Sequence, residues 1–80
     1  MKNIVGPRIR EARHRSGRTI TQAQLAARLQ TNGVDIDPSA ISRIECGNRL
    51  ITDFEVLGIC QVLGISLGSL FGEDEAHTGY

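Results

Sequence analysis

Between Asp37 and Gly47 the chain runs Pro38-Ser39-Ala40-Ile41-Ser42-Arg43-Ile44-Glu45-Cys46. Ile41 and Ile44 stand three apart, the spacing of one inward stripe on a short helix. That leaves Ser39, Ala40, Ser42 and Arg43 expected on the outward side, small at the start and basic further on. Hydroxyls and a guanidinium on an exposed rod can hydrogen-bond a phosphate or the polar edge of a base, and the guanidinium can do so bidentately. The plainer readings are a solvated Arg43, or one paired with nearby Glu45, and serines that cap their own first turn. None of this is a catalytic set. The sequence has no His/Cys/Ser constellation, no glycine-rich phosphate loop and no pair of inward carboxylates, so no enzymatic activity is expected.

The elements that must position these residues are short helices with explicit punctuation. Asp37 is a good N-cap with Pro38 at the first helical position, and Gly47 suits the closing position. The preceding helix opens on a capping box of Thr21 and Gln24. Ile20 and Leu25 are at hydrophobic-staple spacing, Leu25, Ala26 and Leu29 form its apolar face, and Asn32-Gly33 signals its end. A first helix is expected from about Pro7 to Ser16, closed by Gly17, with Ile9 and Ala12 inward and Arg8, Glu11 and Arg15 on the wet side. A fourth opens on a second capping box, Thr52 with Glu55. Phe54, Leu57, Ile59, Cys60, Val62 and Leu63 make it apolar on most sides and hence central. Gly64 ends it, and Ser66 caps a short fifth helix holding Leu67, Leu70 and Phe71. Residues 72–80 read as a flexible acidic tail beyond a single domain of residues 1–71.

Composition agrees with one small all-α domain: 80 residues, 40% apolar, rich in Ala, Leu and Ile, with three aromatic residues. The formal net charge is zero, but its distribution is uneven. All nine Lys and Arg lie in residues 1–49 with only four acids, whereas residues 50–80 carry five acids and no Lys or Arg. The first half therefore suits an anionic partner; an unevenly charged but merely solvated surface is the alternative. Two cysteines, Cys46 and Cys60, are too few for a disulfide framework and lack metal-ligand spacing with His14 and His77, so neither metal nor cofactor is expected. Residues 1–7 lack the apolar run of a signal peptide, and no stretch approaches the roughly 20 apolar residues that span a bilayer. A cytoplasmic chain with free thiols and no membrane partner is the expectation.

Four segments, in this order and spacing, resemble the Cro/C1-type helix-turn-helix family of phage repressors and related bacterial regulators. They are Gly6-Pro7-Arg8-Ile9-Arg10-Glu11-Ala12-Arg13, Thr21-Gln22-Ala23-Gln24-Leu25-Ala26, Ala40-Ile41-Ser42-Arg43-Ile44-Glu45 with Gly47, and Leu63-Gly64-Ile65-Ser66 followed by Phe71. The resemblance spans Gly6 to about Phe71. It implies a five-helix, lambda-repressor-like DNA-binding domain whose helices 2 and 3 form the helix-turn-helix, with helix 3 (about residues 38–46) in the major groove. Gln22 matches a glutamine that holds a phosphate and braces the recognition helix. Ser39, Ala40 and Arg43 match positions facing base edges, and Asn48 and Arg49 match a loop that touches the backbone. Arg13 and Glu45 match a buried or half-buried ion pair tying helix 1 to helix 3, which makes Glu45 structural rather than a reader.

Three features depart from the family pattern. The connection from Thr31 to Ile36 is longer than the usual tight turn. Arg18-Thr19 is an apparent insertion before helix 2, and Arg18 there is either a phosphate contact or solvated. Pro38 replaces a polar reader. The resemblance implies sequence-specific binding of double-stranded DNA as a repressor-like transcriptional regulator, often as a homodimer on a palindromic site. Leu67, Leu70 and Phe71 would then either form a two-fold contact or complete the monomer core. The alternative function is a protein-interaction module on the same fold, antitoxin- or coactivator-like, which the acidic second half would suit.

Overall fold

Side-chain caps mark where most of the helices begin. A computed structural model describes residues 2–15 and 19–72, and among them the elements are α1 (Gly6–Arg13), α2 (Gln22–Thr31), α3 (Pro38–Glu45), α4 (Asp53–Leu63) and α5 (Leu67–Leu70), with no strand. Thr21 and Gln24 form the capping box of α2, and Thr52 and Glu55 that of α4. Asp37 accepts the Ala40 amide at 2.7 Å at the start of α3, and Ser66 accepts that of Ser69 at 2.9 Å at α5. Each cap satisfies an amide that would otherwise lack an intrahelical acceptor, typically worth ~1 kcal/mol.

α1 is the exception. Its N-cap residue, Val5, has no capping side chain. Asn3 caps from outside the helix instead: its Oδ1 accepts the Gly6 amide at 2.7 Å. The same side chain donates through Nδ2 to the carbonyls of Ile44, at 3.0 Å, and Arg49, at 2.9 Å. The N-terminal segment is thereby stapled to the end of α3. α1 also stops earlier than expected, at Arg13 rather than Ser16. The Arg13 carbonyl accepts the Ile20 amide at 2.9 Å, so the chain turns toward α2 instead of continuing the helix. Ser16 and Gly17, the expected close of α1, lie outside the described residues, as do residues 73–80 of the expected tail.

The core joins all five helices: Ile9 of α1, Leu25 and Leu29 of α2, Ile41 and Ile44 of α3, Ile59 of α4 and Leu70 of α5 are almost fully buried. Residues 32–37 connect α2 to α3 as a pinned segment. Val34 and Ile36 are buried on either side of exposed Asp35. The Val34 amide donates to the Leu29 carbonyl at 2.8 Å, and Gln30 Nε2 to that of Ile36 at 2.8 Å. The extra length of this connection is therefore anchored to the core.

α4 is less central than its composition implies. Val56, Ile59 and Cys60 form the inward stripe, whereas Phe54 is 60% and Leu57 52% exposed. The reason is periodicity: residues 54 and 57 lie on the arc opposite 56, 59 and 60. In α5, Leu70 completes the core while Leu67 and, just beyond, Phe71 remain about half exposed.

Gly6 is required by a close approach. A Cβ there would overlap the Ile44 carbonyl oxygen and press on that of Glu45 at 3.0 Å, and both are backbone atoms. Gly6→Ala is therefore expected to destabilise the domain by about 3 kcal/mol, the upper end of typical overpacking costs. A thermal melt checks this, with an expected drop in Tm on the order of 10 °C or more.

Candidate nucleic-acid interface

α3 buries Ala40, Ile41, Ile44 and Glu45 and exposes Ser39 and Arg43, with Ser42 half-buried between. Ala40 corrects the sequence reading. It is 6% exposed and part of the core, so its methyl group is not on the outward face. Residue 40 stands one turn before Ile44, and the inward stripe includes both. The outward stripe is thus Ser39, Ser42 and Arg43, continuing to exposed Cys46 at the C-cap.

The acid on this helix is turned inward. Arg13 and Glu45 form a bidentate pair, Nε to Oε2 at 2.7 Å and Nη2 to Oε1 at 2.8 Å, with side chains only 7% and 4% exposed. Arg13 Nη1 donates to the Ile20 carbonyl at 2.9 Å, and Gln22 Nε2 donates to Glu45 Oε1 at 3.1 Å. One network therefore ties α1, the start of α2 and the last turn of α3 together. Glu45 being spent in this way, the Arg43 guanidinium has no hydrogen bond or ion pair with the described residues. Gln22 keeps one N–H of its amide for another acceptor.

α3 is closed by Gly47, whose φ of 78° is left-handed and strained for other residues. Asn48 follows, exposed, with its backbone amide on the Arg43 carbonyl at 2.8 Å. Arg49, which the resemblance places in a loop that touches the backbone of a nucleic acid, is engaged within the chain. Its Nη1 and Nη2 donate to the two Glu55 oxygens at 3.0 and 3.1 Å, and Nη1 also to the Leu50 carbonyl at 2.9 Å. Glu55 therefore has a second role beside capping α4, one for which an arginine six residues upstream is the available signal in the sequence. Asn3 was missed, because a capping Asn is expected immediately before the first helical residue and Asn3 stands three residues ahead of it. Arg18 lies outside the described residues.

Together α2, the pinned connection and α3 form two helices in succession, the second carrying an outward polar and basic stripe. Residues 4–70 match the family model of a helix-turn-helix domain. The chain belongs to this helix-turn-helix family. It is a DNA-binding family, and the match takes in all five helices. No curated protein and no solved structure matches the chain. The helix-turn-helix domain presents no helix long and apolar enough to cross a membrane among its described residues.

The Arg49–Glu55 pair gives the domain an acid-sensitive element. Burial pushes the Glu55 carboxyl up, but hydrogen bonds from Arg49 and the Thr52 amide, the Arg49 charge and the Thr52 hydroxyl together outweigh it. The net position is below the ordinary 4.5. A carboxylate lowered on folding contributes stability that is complete above its unfolded value and lost as pH falls through the folded one. Glu55→Gln is therefore expected to melt below the parent protein near pH 7, with the gap closing as pH falls from about 4.5. Melts across that range check this; a gap independent of pH would contradict it.

Proposed function

We propose that this chain is a Cro/C1-type, repressor-like transcriptional regulator that binds specific sites on double-stranded DNA with α3 in the major groove. The observation carrying this reading is the outward stripe of α3, where Arg43, without a partner among the described residues, stands beside Ser39 and Ser42 while Glu45 is turned inward and neutralised. Such a surface offers donors with Glu45 turned away, and the exposed carboxylate nearest the stripe, Asp37, is held on the Ala40 amide at the start of α3. Arg43 pairs bidentately with O6 and N7 of a guanine. Ser39 and Ser42 bond a base or a phosphate. Gln22 and the exposed Asn48 contact backbone phosphates on either side, and the first-turn amides of α2 that Thr21 does not cap favour anions there. Arg49 holds the loop that carries Asn48 through Glu55, and its exposed side touches the backbone beside Asn48 without reading a base. Arg18, where the insertion extends the first half's positive charge, adds a further phosphate contact.

A single domain of this size reads few base pairs, so the functional unit is a homodimer on a palindromic site, in the cytoplasm of a bacterium or a phage-infected cell. The half-exposed Leu67 and Phe71 support a two-fold contact through the α5 end.

Binding to duplexes selected from a random pool, compared with binding to random duplex, tests the reading. Arg43→Ala is expected to lower the ratio of selected to random affinity by roughly 5- to 150-fold, the equivalent of about 1–3 kcal/mol. Equal losses on both duplexes would overturn Arg43 as the reader. No binding to any duplex at low salt would favour the alternative, a protein-interaction module on the same fold, for which the exposed Phe54 and Leu57 of α4 offer an apolar surface.

A further inference from the structure

Beside the outward stripe of α3 lies a cleft of about 480 Å³ between the end of α1, the Thr19–Gln22 run and the last turn of α3. Arg10 and His14 line one wall, Thr19, Thr21 and Gln22 another, and Ser42 and Cys46 the α3 side. Arg10 and His14 are one turn apart and exposed, and neither side chain has a partner among the described residues. The cleft also meets the Arg13–Glu45 pair, whose charges are committed to each other. Its carboxylate is therefore neutralised, and what remains is a basic guanidinium, an imidazole, three hydroxyls and the second N–H of the Gln22 amide. This is a donor set for a tetrahedral oxyanion.

We infer that this cleft seats one phosphodiester of the DNA backbone, clamped by Arg10 and His14. The inference rests on the DNA-binding reading above and adds residues that it does not use. Position argues for a strand phosphate rather than a base. Ser42 belongs both to the cleft wall and to the outward stripe, so a group held in the cleft lies at the side of a duplex that α3 faces. Held there, the phosphate fixes how far along the groove Arg43 and Ser39 sit. Arg10 and His14 thus set register and affinity and carry no sequence preference.

The test measures duplex affinity against salt concentration for the full chain, Arg10→Ala, His14→Ala and Arg28→Ala. Arg28 is an exposed arginine in the last turn of α2, outside the cleft. All three side chains are exposed, and far-UV circular dichroism checks that each variant is folded. Loss of a phosphate-bound cation is expected to make the plot of log affinity against log salt shallower by about 0.9 for Arg10→Ala. His14→Ala is expected to weaken binding too. For both, the loss should be similar on selected and random duplexes, with Arg28→Ala unchanged. In the same protein, iodoacetamide should label exposed Cys46 and the duplex should protect it, while buried Cys60 reports any unfolding.

Duplex binding with an unchanged slope for Arg10→Ala and unchanged affinity for His14→Ala would overturn the clamp alone, as would equal effects at Arg28. Cys46 labelling that the bound duplex leaves untouched would also overturn it. Failure of every duplex to bind would overturn the parent reading and the clamp together. Inorganic phosphate provides the last arm. Tight binding of free phosphate at the cleft, with duplex affinity unaffected by Arg10→Ala, would reassign the cleft to a free anion.

Discussion

The Arg13–Glu45 pair is buried where α1, the start of α2 and the end of α3 meet, and the rest of the domain is arranged around it. Two charges with only 7% and 4% of their side-chain surface exposed would be costly unless their hydrogen bonds were satisfied. Here they are: Glu45 takes two donors from Arg13 and one from Gln22, and Arg13 spends its third on the Ile20 carbonyl. A pair of this kind is weak as a source of stability, since apolar replacements of similar volume often do as well. Its contribution is geometric. Successive residues of a helix are about 100° apart around its axis, so fixing Glu45 inward also fixes Arg43 outward. A roll of α3 by one position would expose a carboxylate and remove the stripe on which the proposed recognition depends.

Four further features keep that roll from occurring. Asn3 binds the Ile44 and Arg49 carbonyls from the N-terminal segment, and Gly6 lets α1 come against the backbone at the end of α3. Val34 and Ile36 sink the long α2–α3 connection into the core, so that the added residues do not loosen the angle between the two helices. Arg49 and Glu55 hold the loop after α3 to the first turn of α4. The outward face is thus the unoccupied side of a helix whose other side is held at both ends.

Much of this was legible in the sequence because it is local. The caps at Thr21, Asp37, Thr52 and Ser66 and the apolar stripes of α2 and α3 follow from residue spacing within one or two turns. What was not legible depends on where distant segments meet. Ala40 has the same small side chain whether it faces a groove or a core, and only its position one turn before Ile44 sends it inward. Arg49 resembles a free cation until α4 brings Glu55 beside it. Phe54 and Leu57 add to the mean hydropathy of α4 without lying on its buried arc. The site divides in the same way. Ser39 and Arg43 were found from periodicity, while Arg10 and His14 come to line one cleft with Gln22 only when the fold brings the end of α1 beside the start of α2.

Amide chemical shifts of the labelled domain, followed during titration with a duplex selected from random sequence, test most directly whether the face fixed by Glu45 is the one that meets DNA. The expected result is a contiguous set of large changes at Gln22, Ser39, Ser42, Arg43 and Asn48, with residues 54–61 of α4 unchanged. Changes concentrated on α4 and α5, with the outward stripe of α3 silent, would contradict it.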